Sequence, residues 1–213
     1  MLADAAGALA MLSPGRQVPL NASHLADRFK IFVLIVLGES VIRLISAAAV
    51  RPWSVPLGVV LAAAMVVLVA LWLAWLTAAG PDGLHNPPAI AGFAALNLPI
   101  VAGIAAASAG LHIAILAADG ATTIGVGPRA ALYGGVSVCL AATALLPSRR
   151  MTPWRRTIRL ATALAAVGLV FMGAVVLPVY LVPALTAILA LGLAAEAHPR
   201  WWLAVKRRAR LTG

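Results

Sequence analysis

The sequence predicts an all-α protein, a polytopic membrane helical bundle with about six transmembrane helices and both termini in the cytoplasm. Three observations support this fold class. The mean hydropathy is +1.02 and only 10% of the residues are charged, against about 25% in soluble domains. Apolar runs long enough to cross a bilayer alternate with loops rich in Gly and Pro. The basic residues form short clusters between these runs, as in loops that face the cytoplasm.

The apolar runs divide the chain into three parts. These are an N-terminal segment and linker at 1–23, a six-helix transmembrane domain at 24–197 and a basic cytoplasmic tail at 198–213. The last apolar stretch is too long for one crossing, so we divide it at Pro178. The predicted spans are 29–50, 56–79, 90–118, 130–146, 158–177 and 179–195.

The distribution of basic residues predicts the orientation. Thirteen of the 16 Lys and Arg residues fall on the cytoplasmic side of this topology, among them the five arginines at 149–159, while only Arg51 and Arg129 lie outside. This bias predicts a multi-pass membrane protein with both termini in the cytoplasm. Its partners would be the lipid bilayer and the anionic lipid head groups that contact the basic loops. A nucleic-acid partner is not predicted, because the positive charge is split among short clusters between spans.

The first predicted span carries charged residues within an apolar run. Glu39 and Arg43 are four residues apart, so they share a helix face and can pair. At 100° per residue they align with His24, Arg28 and Ser46. Since a charge in lipid costs about 2.5–3.5 kcal/mol on insertion scales, we expect this face to meet protein or water. The polar stripe is defined here as His24, Asp27, Arg28, Glu39, Arg43 and Ser46.

Two interpretations of the polar stripe remain open. Glu39 and Arg43 could form an ion pair that only holds the helix against its neighbours, or the stripe could line a pathway for ions, protons or solutes. The third span offers polar residues on one face that could serve as partners: Asn97, Ser108 and His112. A contact between Glu39 and Asn97 is favoured, because the two residues lie at a similar depth in the membrane.

Catalytic, metal and cofactor sites are not predicted. His24 and Asp27 have no further ligands clustered with them, and one cysteine cannot build a thiol site. The sequence has no phosphate-binding glycine loop, no HExxH and no nucleophile elbow, so an enzyme is not expected.

The polar stripe belongs to a longer pattern, H-x-x-[ED]-R-[FY]-x-x-[FL], followed by an apolar run and L-G-E-[SI]. On this pattern the chain resembles the low-temperature-requirement A (LtrA) family of membrane proteins. The third span is similar to the H-x-P…G helix of that family through Asn97, Pro99 and Gly103. The residues that carry the first match are His24, Asp27, Arg28, Phe29, Phe32, Leu37, Gly38, Glu39 and Ser40.

The chain departs from the pattern of that family in three respects. Asp27 stands for the usual Glu, and Asn97 for the usual His. Family members are about twice as long and open with a W-x-E-L-F-F-D-L-type motif that is absent here, so the resemblance covers their C-terminal half. It implies a half-length version, a subunit that pairs, or a fragment, and hence a homodimer or a partner that supplies the missing N-terminal half.

The resemblance implies a multi-pass protein of the bacterial inner (plasma) membrane, and the name of the family links it to growth in the cold. Two classes of function remain open for this chain. One is an ion or solute transporter or channel with the polar stripe at its centre. The other is a non-transporting structural or stress-response protein of the membrane, in which the stripe only packs.

Overall fold

The structure is a computed structural model that describes residues 22–119, 124–172, 180 and 182–196. All regular secondary structure in this part of the chain is helical, which confirms the predicted all-α class. The predictions for residues 1–21, for the division at Pro178 and for the basic tail lie outside the described residues. The helices are α1 (Ala22–Ala49), α2 (Val55–Ala78), α3 (Pro87–Leu116), α4 (Val126–Leu145), α5 (Pro153–Met172) and α6 (Val182–Glu196), with a 3-10 turn at Pro81–Gly83.

Side-chain caps fix the start of two helices. Ser54 accepts a hydrogen bond at Oγ from the Leu57 amide at 3.2 Å and begins α2. Asn86 accepts one at Oδ1 from the Ala89 amide at 2.9 Å and begins α3. In both helices a proline follows in the first turn. Its missing N–H costs no hydrogen bond there, because N–H groups of the first turn have no acceptor within the helix. The polar breaks seen in the sequence therefore act as helix starts.

Four of the helices, α1 to α4, are long and apolar enough to cross a membrane. Helix α5 has 20 residues but carries three arginines near its start. The described part of helix α6, Val182–Glu196, is shorter than a full span. Helices α1, α4 and α5 begin four to seven residues before their predicted spans, because amphipathic first turns continue the helix beyond the apolar run.

Helix α3 lies at the centre of the bundle. It packs against α1, α2 and α4, and α4 in turn packs against α2 and α5. At one end Asp119, just after α3, pairs with Arg51 and Ser54 between α1 and α2. At the other end Asp82 after α2 pairs with Arg150 before α5 at 2.9 Å. These contacts define two opposite ends of the bundle, here called the Asp119 end and the Asp82 end.

Helices α3 and α4 approach each other closely at glycines. A Cβ added to Gly103 would lie 2.5 Å from the carbonyl oxygen of Gly135, and one added to Gly135 would lie 2.5 Å from that of Gly103. A Cβ on Gly110 would meet the Leu132 side chain at 2.6 Å. Small residues let membrane helices make backbone contact, so these glycines set the spacing of the central helix pair.

Helix α6 returns antiparallel to α5. Ala195, near the end of α6, accepts a hydrogen bond from the Trp154 indole near the start of α5 at 3.4 Å. Thr186, in the middle of α6, donates to the Ala63 carbonyl of α2 at 3.2 Å. The last helix therefore ends at the Asp82 end, where α5 begins.

Candidate functional site

One face of α1 packs against the bundle, and it is not the face that carries the polar stripe. The buried residues Val33, Leu37, Ser40, Leu44 and Ala47 are three or four positions apart and form the packed seam. All six members of the stripe, from His24 to Ser46, are exposed. The stripe is thus an outer face of α1, which no other part of the described chain covers.

The predicted ion pair within the stripe is confirmed. Arg43 Nε donates to Glu39 Oε1 at 2.9 Å, and each side chain is 56% exposed. Large apolar side chains surround the pair on the same outer surface, among them Ile35 and Ile42, at 63% and 61% exposed. Gly38, beside Glu39, has open space where a Cβ would stand. A charged pair therefore lies within an apolar helix surface that is open to a neighbour.

The polar residues of α3 take different positions from those expected. Asn97 is fully buried, accepts a hydrogen bond from the Trp75 indole at 2.9 Å and donates to the Phe93 carbonyl at 2.8 Å. The expected contact between Glu39 and Asn97 is therefore not present. Instead, His112 Nδ1 lies 3.3 Å from the Arg43 carbonyl oxygen and joins α3 to α1 beside the ion pair. Ser108 is buried, and its hydroxyl has no hydrogen-bond partner.

The structure contains a second ion pair that the sequence did not reveal. Arg159 of α5 donates from Nε to Glu196 Oε1 at 2.7 Å and from Nη2 to Oε2 at 3.0 Å. Arg159 is 1% exposed and Glu196 6%. The guanidinium also donates to the Ala74 carbonyl at 2.6 Å and to the Thr77 hydroxyl at 2.7 Å. One side chain thus ties together α2, α5 and α6.

A small cavity lies beside this pair. Its volume is about 10 Å³, which is room for one water molecule, and its polar lining comes from Arg159, Thr162 and Glu196. Of the five N–H donors of the guanidinium, four are used in the bonds described above. The carboxylate and the guanidinium form a bidentate pair with two hydrogen bonds, and such charge-assisted pairs are among the strongest hydrogen bonds in proteins.

Two arginines that are predicted to lie in loops, Arg159 and Arg129, are instead buried in helices. Arg159 was counted in the cytoplasmic cluster, but it is buried in the bundle, because α5 begins at Pro153 and continues through it. Arg129 was placed in an outer loop, but it is 6% exposed in the first turn of α4. The signal that could have revealed the burial of Arg159 is Glu196, because it is the only acidic residue after Asp119 in the sequence.

Within the described residues, no group of three or more His, Cys, Asp or Glu side chains could hold a metal ion. The chemistry available to this part of the chain is that of arginine–carboxylate pairs, of which two join residues of the helices. One is open on the outer face of α1, and the other is closed among α2, α5 and α6.

Comparison with known proteins identifies the family. No curated protein and no solved structure matches the chain. The family model described as bacterial low temperature requirement A protein (LtrA) matches residues 1–195, which include the polar stripe, α3 and the arginine of the buried pair. This match covers most of the chain and agrees with the resemblance carried by the first-span motif. The chain belongs to the bacterial low temperature requirement A (LtrA) family of membrane proteins.

Proposed function

We propose that this protein is an ion or solute transporter or channel of the bacterial inner membrane, and that its pathway follows the outer face of α1. The observation that carries the proposal is the Glu39–Arg43 pair, 56% exposed on a helix that is long and apolar enough to cross a membrane. Ionisable side chains within a membrane span usually face protein or a water-filled path, since lipid solvates them poorly. A surface other than lipid is therefore expected over this face.

The surface that fits best is a second copy of the same face. In a two-fold symmetric dimer, residues of one copy meet their counterparts across the axis. Glu39 and Arg43 are separated by only about 6 Å along the helix, a distance that the long arginine side chain can span, so Arg43 of each copy can reach Glu39 of the other. The open space at Gly38 allows the two helices to come close. Ser46 then adds a hydroxyl from each copy to the same polar line.

The topology proposed with this function has six crossings and both termini in the cytoplasm. Two features support it. Helix α6 is antiparallel to α5 and ends beside its start. Arg149, Arg150, Arg155 and Arg156 cluster at the Asp82 end, as the excess of basic residues in cytoplasmic loops requires. In this arrangement the Asp82 end faces the cytoplasm, and the basic loops there contact anionic lipid head groups.

A flux measurement with Glu39→Gln tests the proposal. The protein is reconstituted into liposomes that contain a pH-sensitive dye, and proton entry is followed under an imposed K⁺ potential, with Na⁺ and Cl⁻ flux measured in parallel. We expect at least one of these fluxes above that of empty liposomes, and a loss of about tenfold or more in Glu39→Gln, because the substitution removes the carboxylate from the pathway.

The matched control is Asp82→Asn. It also removes a carboxylate that pairs with an arginine at 2.9 Å and is about half exposed, but this pair lies outside the spans. Flux of Asp82→Asn should equal that of the unchanged protein. If no probe crosses liposomes that contain folded protein, or if both variants lose flux equally, the transport proposal is wrong.

The competing function is that of a non-transporting structural or stress-response protein. The direct Arg43–Glu39 hydrogen bond favours it, because a pair within one helix reduces the cost of its own burial in lipid. Under that reading no flux appears with any probe, and Glu39→Gln changes only stability or assembly. Neither reading assigns a catalytic step to this chain.

A further inference from the structure

Among the described residues, Arg129 is a buried cation with unpaired nitrogen atoms at the Asp119 end of the bundle. It lies in the first turn of α4 and is 6% exposed, and its Nε and Nη1 groups have no hydrogen-bond partner. An unpaired guanidinium away from water is among the least favourable arrangements in a protein. Arginine is also unfavourable at this position, because the N-terminus of a helix already carries partial positive charge.

The polar groups around Arg129 are also donors. Tyr133 lies one turn further along α4 and is fully buried, and its hydroxyl has no partner. No side chain caps the start of α4, where the N–H groups of Val126 and Gly127 have no acceptor within the helix. Side chains on a helix lean towards its N-terminus, which directs Arg129 towards these amides. Val126 and Gly127 are exposed, so a ligand can approach the start of the helix beside Arg129.

The described part of the chain offers no anion to balance this site. Asp27 lies near the start of α1, at the opposite end of the bundle. Residues 120–123, which precede α4, contain no acidic residue, and the sixth acidic residue of the chain, Asp4, lies outside the described residues. The remaining carboxylates each pair with another arginine: Glu39 with Arg43, Asp82 with Arg150, Asp119 with Arg51 and Glu196 with Arg159.

We propose that the start of α4 binds a phosphate oxyanion. The guanidinium of Arg129 supplies the charge, and the Tyr133 hydroxyl and the first amides of α4 supply further donors. Phosphate suits these donors because arginine binds it in a bidentate manner, and because the N-terminus of a helix favours a negative charge. The phosphate can belong to the head group of an anionic lipid, since α4 enters the membrane here, or it can be free inorganic phosphate. This site does not depend on transport along α1.

Thermal unfolding of the purified full-length chain in a maltoside detergent tests the proposal. Inorganic phosphate is compared with NaCl of equal ionic strength, and phosphatidylglycerol with a galactolipid that contains no phosphate. We expect a phosphate-bearing probe to raise the Tm of the unchanged protein beyond its control. Stabilisation by both probes identifies a site open to free phosphate, and stabilisation by phosphatidylglycerol alone identifies a lipid head-group site. If neither probe exceeds its control, the proposal is overturned.

The variants assign the effect to Arg129. In Arg129→Gln the apparent affinity should fall about tenfold or more, as expected for the loss of a charge-assisted hydrogen bond. Arg51→Gln is the matched control, because Arg51 lies at the same end but pairs with Asp119 at 3.5 Å, and its affinity should be unchanged. An Arg129→Gln protein that responds like the unchanged chain overturns the proposal. If Arg129→Gln does not fold, Tyr133→Phe decides: a several-fold weaker affinity supports the site, and an unchanged affinity refutes it.

Discussion

Two of the arginine–carboxylate pairs of this protein join residues of its helices, and they have nearly the same hydrogen-bond length but opposite surroundings. The Arg43–Glu39 distance is 2.9 Å and the Arg159–Glu196 distance 2.7 Å. The first pair joins residues one turn apart and is half exposed on the outside of α1. The second joins residues 37 positions apart and is almost completely buried. Distance alone therefore does not show what a pair contributes.

The difference lies in what each pair organises. In the part of the chain that the structure describes, the side chains of Glu39 and Arg43 bond to no other helix, and their face is available to a partner. Arg159 and Glu196 close the bundle, because the same guanidinium also contacts α2 through Ala74 and Thr77. A buried pair of this kind is costly to break, whereas an exposed pair contributes little to stability. The inner pair should therefore govern folding, and the outer pair assembly and function.

Breaking the inner pair should have the largest effect. In Glu196→Gln the Arg159 charge stays buried without its carboxylate, so we expect the free energy of unfolding in detergent micelles to fall by about 3–5 kcal/mol. The double variant Arg159→Gln with Glu196→Gln should recover part of this loss, since no uncompensated charge remains. A loss below about 1 kcal/mol in the single variant would show that the pair does not hold the bundle together.

Thr77→Val should have an intermediate effect. It removes the hydroxyl that accepts from Arg159 Nη2 at 2.7 Å but keeps the shape of the side chain and leaves the ion pair in place. A hydrogen bond to a charged group contributes about 1.5–3 kcal/mol, so unfolding should become easier by about that amount. Thr157→Val on α5 is the control, because its hydroxyl only donates to the Pro153 carbonyl of its own helix. Equal losses in the two variants would contradict a link between α2 and α5.

Glu39→Gln should have the smallest effect on stability. Pairs that are exposed to water within a helix contribute about 0.3–0.5 kcal/mol. Because the proposed pathway keeps this face in contact with water, the change in unfolding free energy should stay below about 1 kcal/mol. The proposed dimer makes a further distinction: Glu39→Gln should shift the protein towards the monomer in size measurements, whereas Asp82→Asn should not. An unchanged dimer, or a protein that is monomeric without any substitution, would exclude the second copy as the surface that covers α1.

The general fold was predictable because long apolar runs and polar breaks have few interpretations. The breaks at Ser54 and Asn86 end the apolar runs, and they are the N-caps of α2 and α3. The Glu39–Arg43 pair was predictable as well, because helix geometry alone places residues four apart on one face. Local rules therefore account for the helices and for contacts within one of them.

The direction in which the polar stripe faces was not predictable. In a soluble helix the apolar face marks the core, but in a membrane helix the lipid-facing side is apolar too. On α1, buried Val33 and Leu37 and exposed Ile35 and Ile42 are equivalent in the sequence. The Arg159–Glu196 pair was missed for a related reason: a charge near a basic cluster resembles a loop residue until the pairing of α5 with α6 is known.

The glycine crossing of α3 and α4 has a consequence for temperature. Contacts that rest on the hydrophobic effect weaken on cooling. Gly103 and Gly135 instead bring two backbones together, and inside a bilayer such contacts depend on van der Waals packing rather than on the release of water. The central helix pair therefore has no cold-sensitive contribution at its closest point, and it should stay associated as the temperature falls.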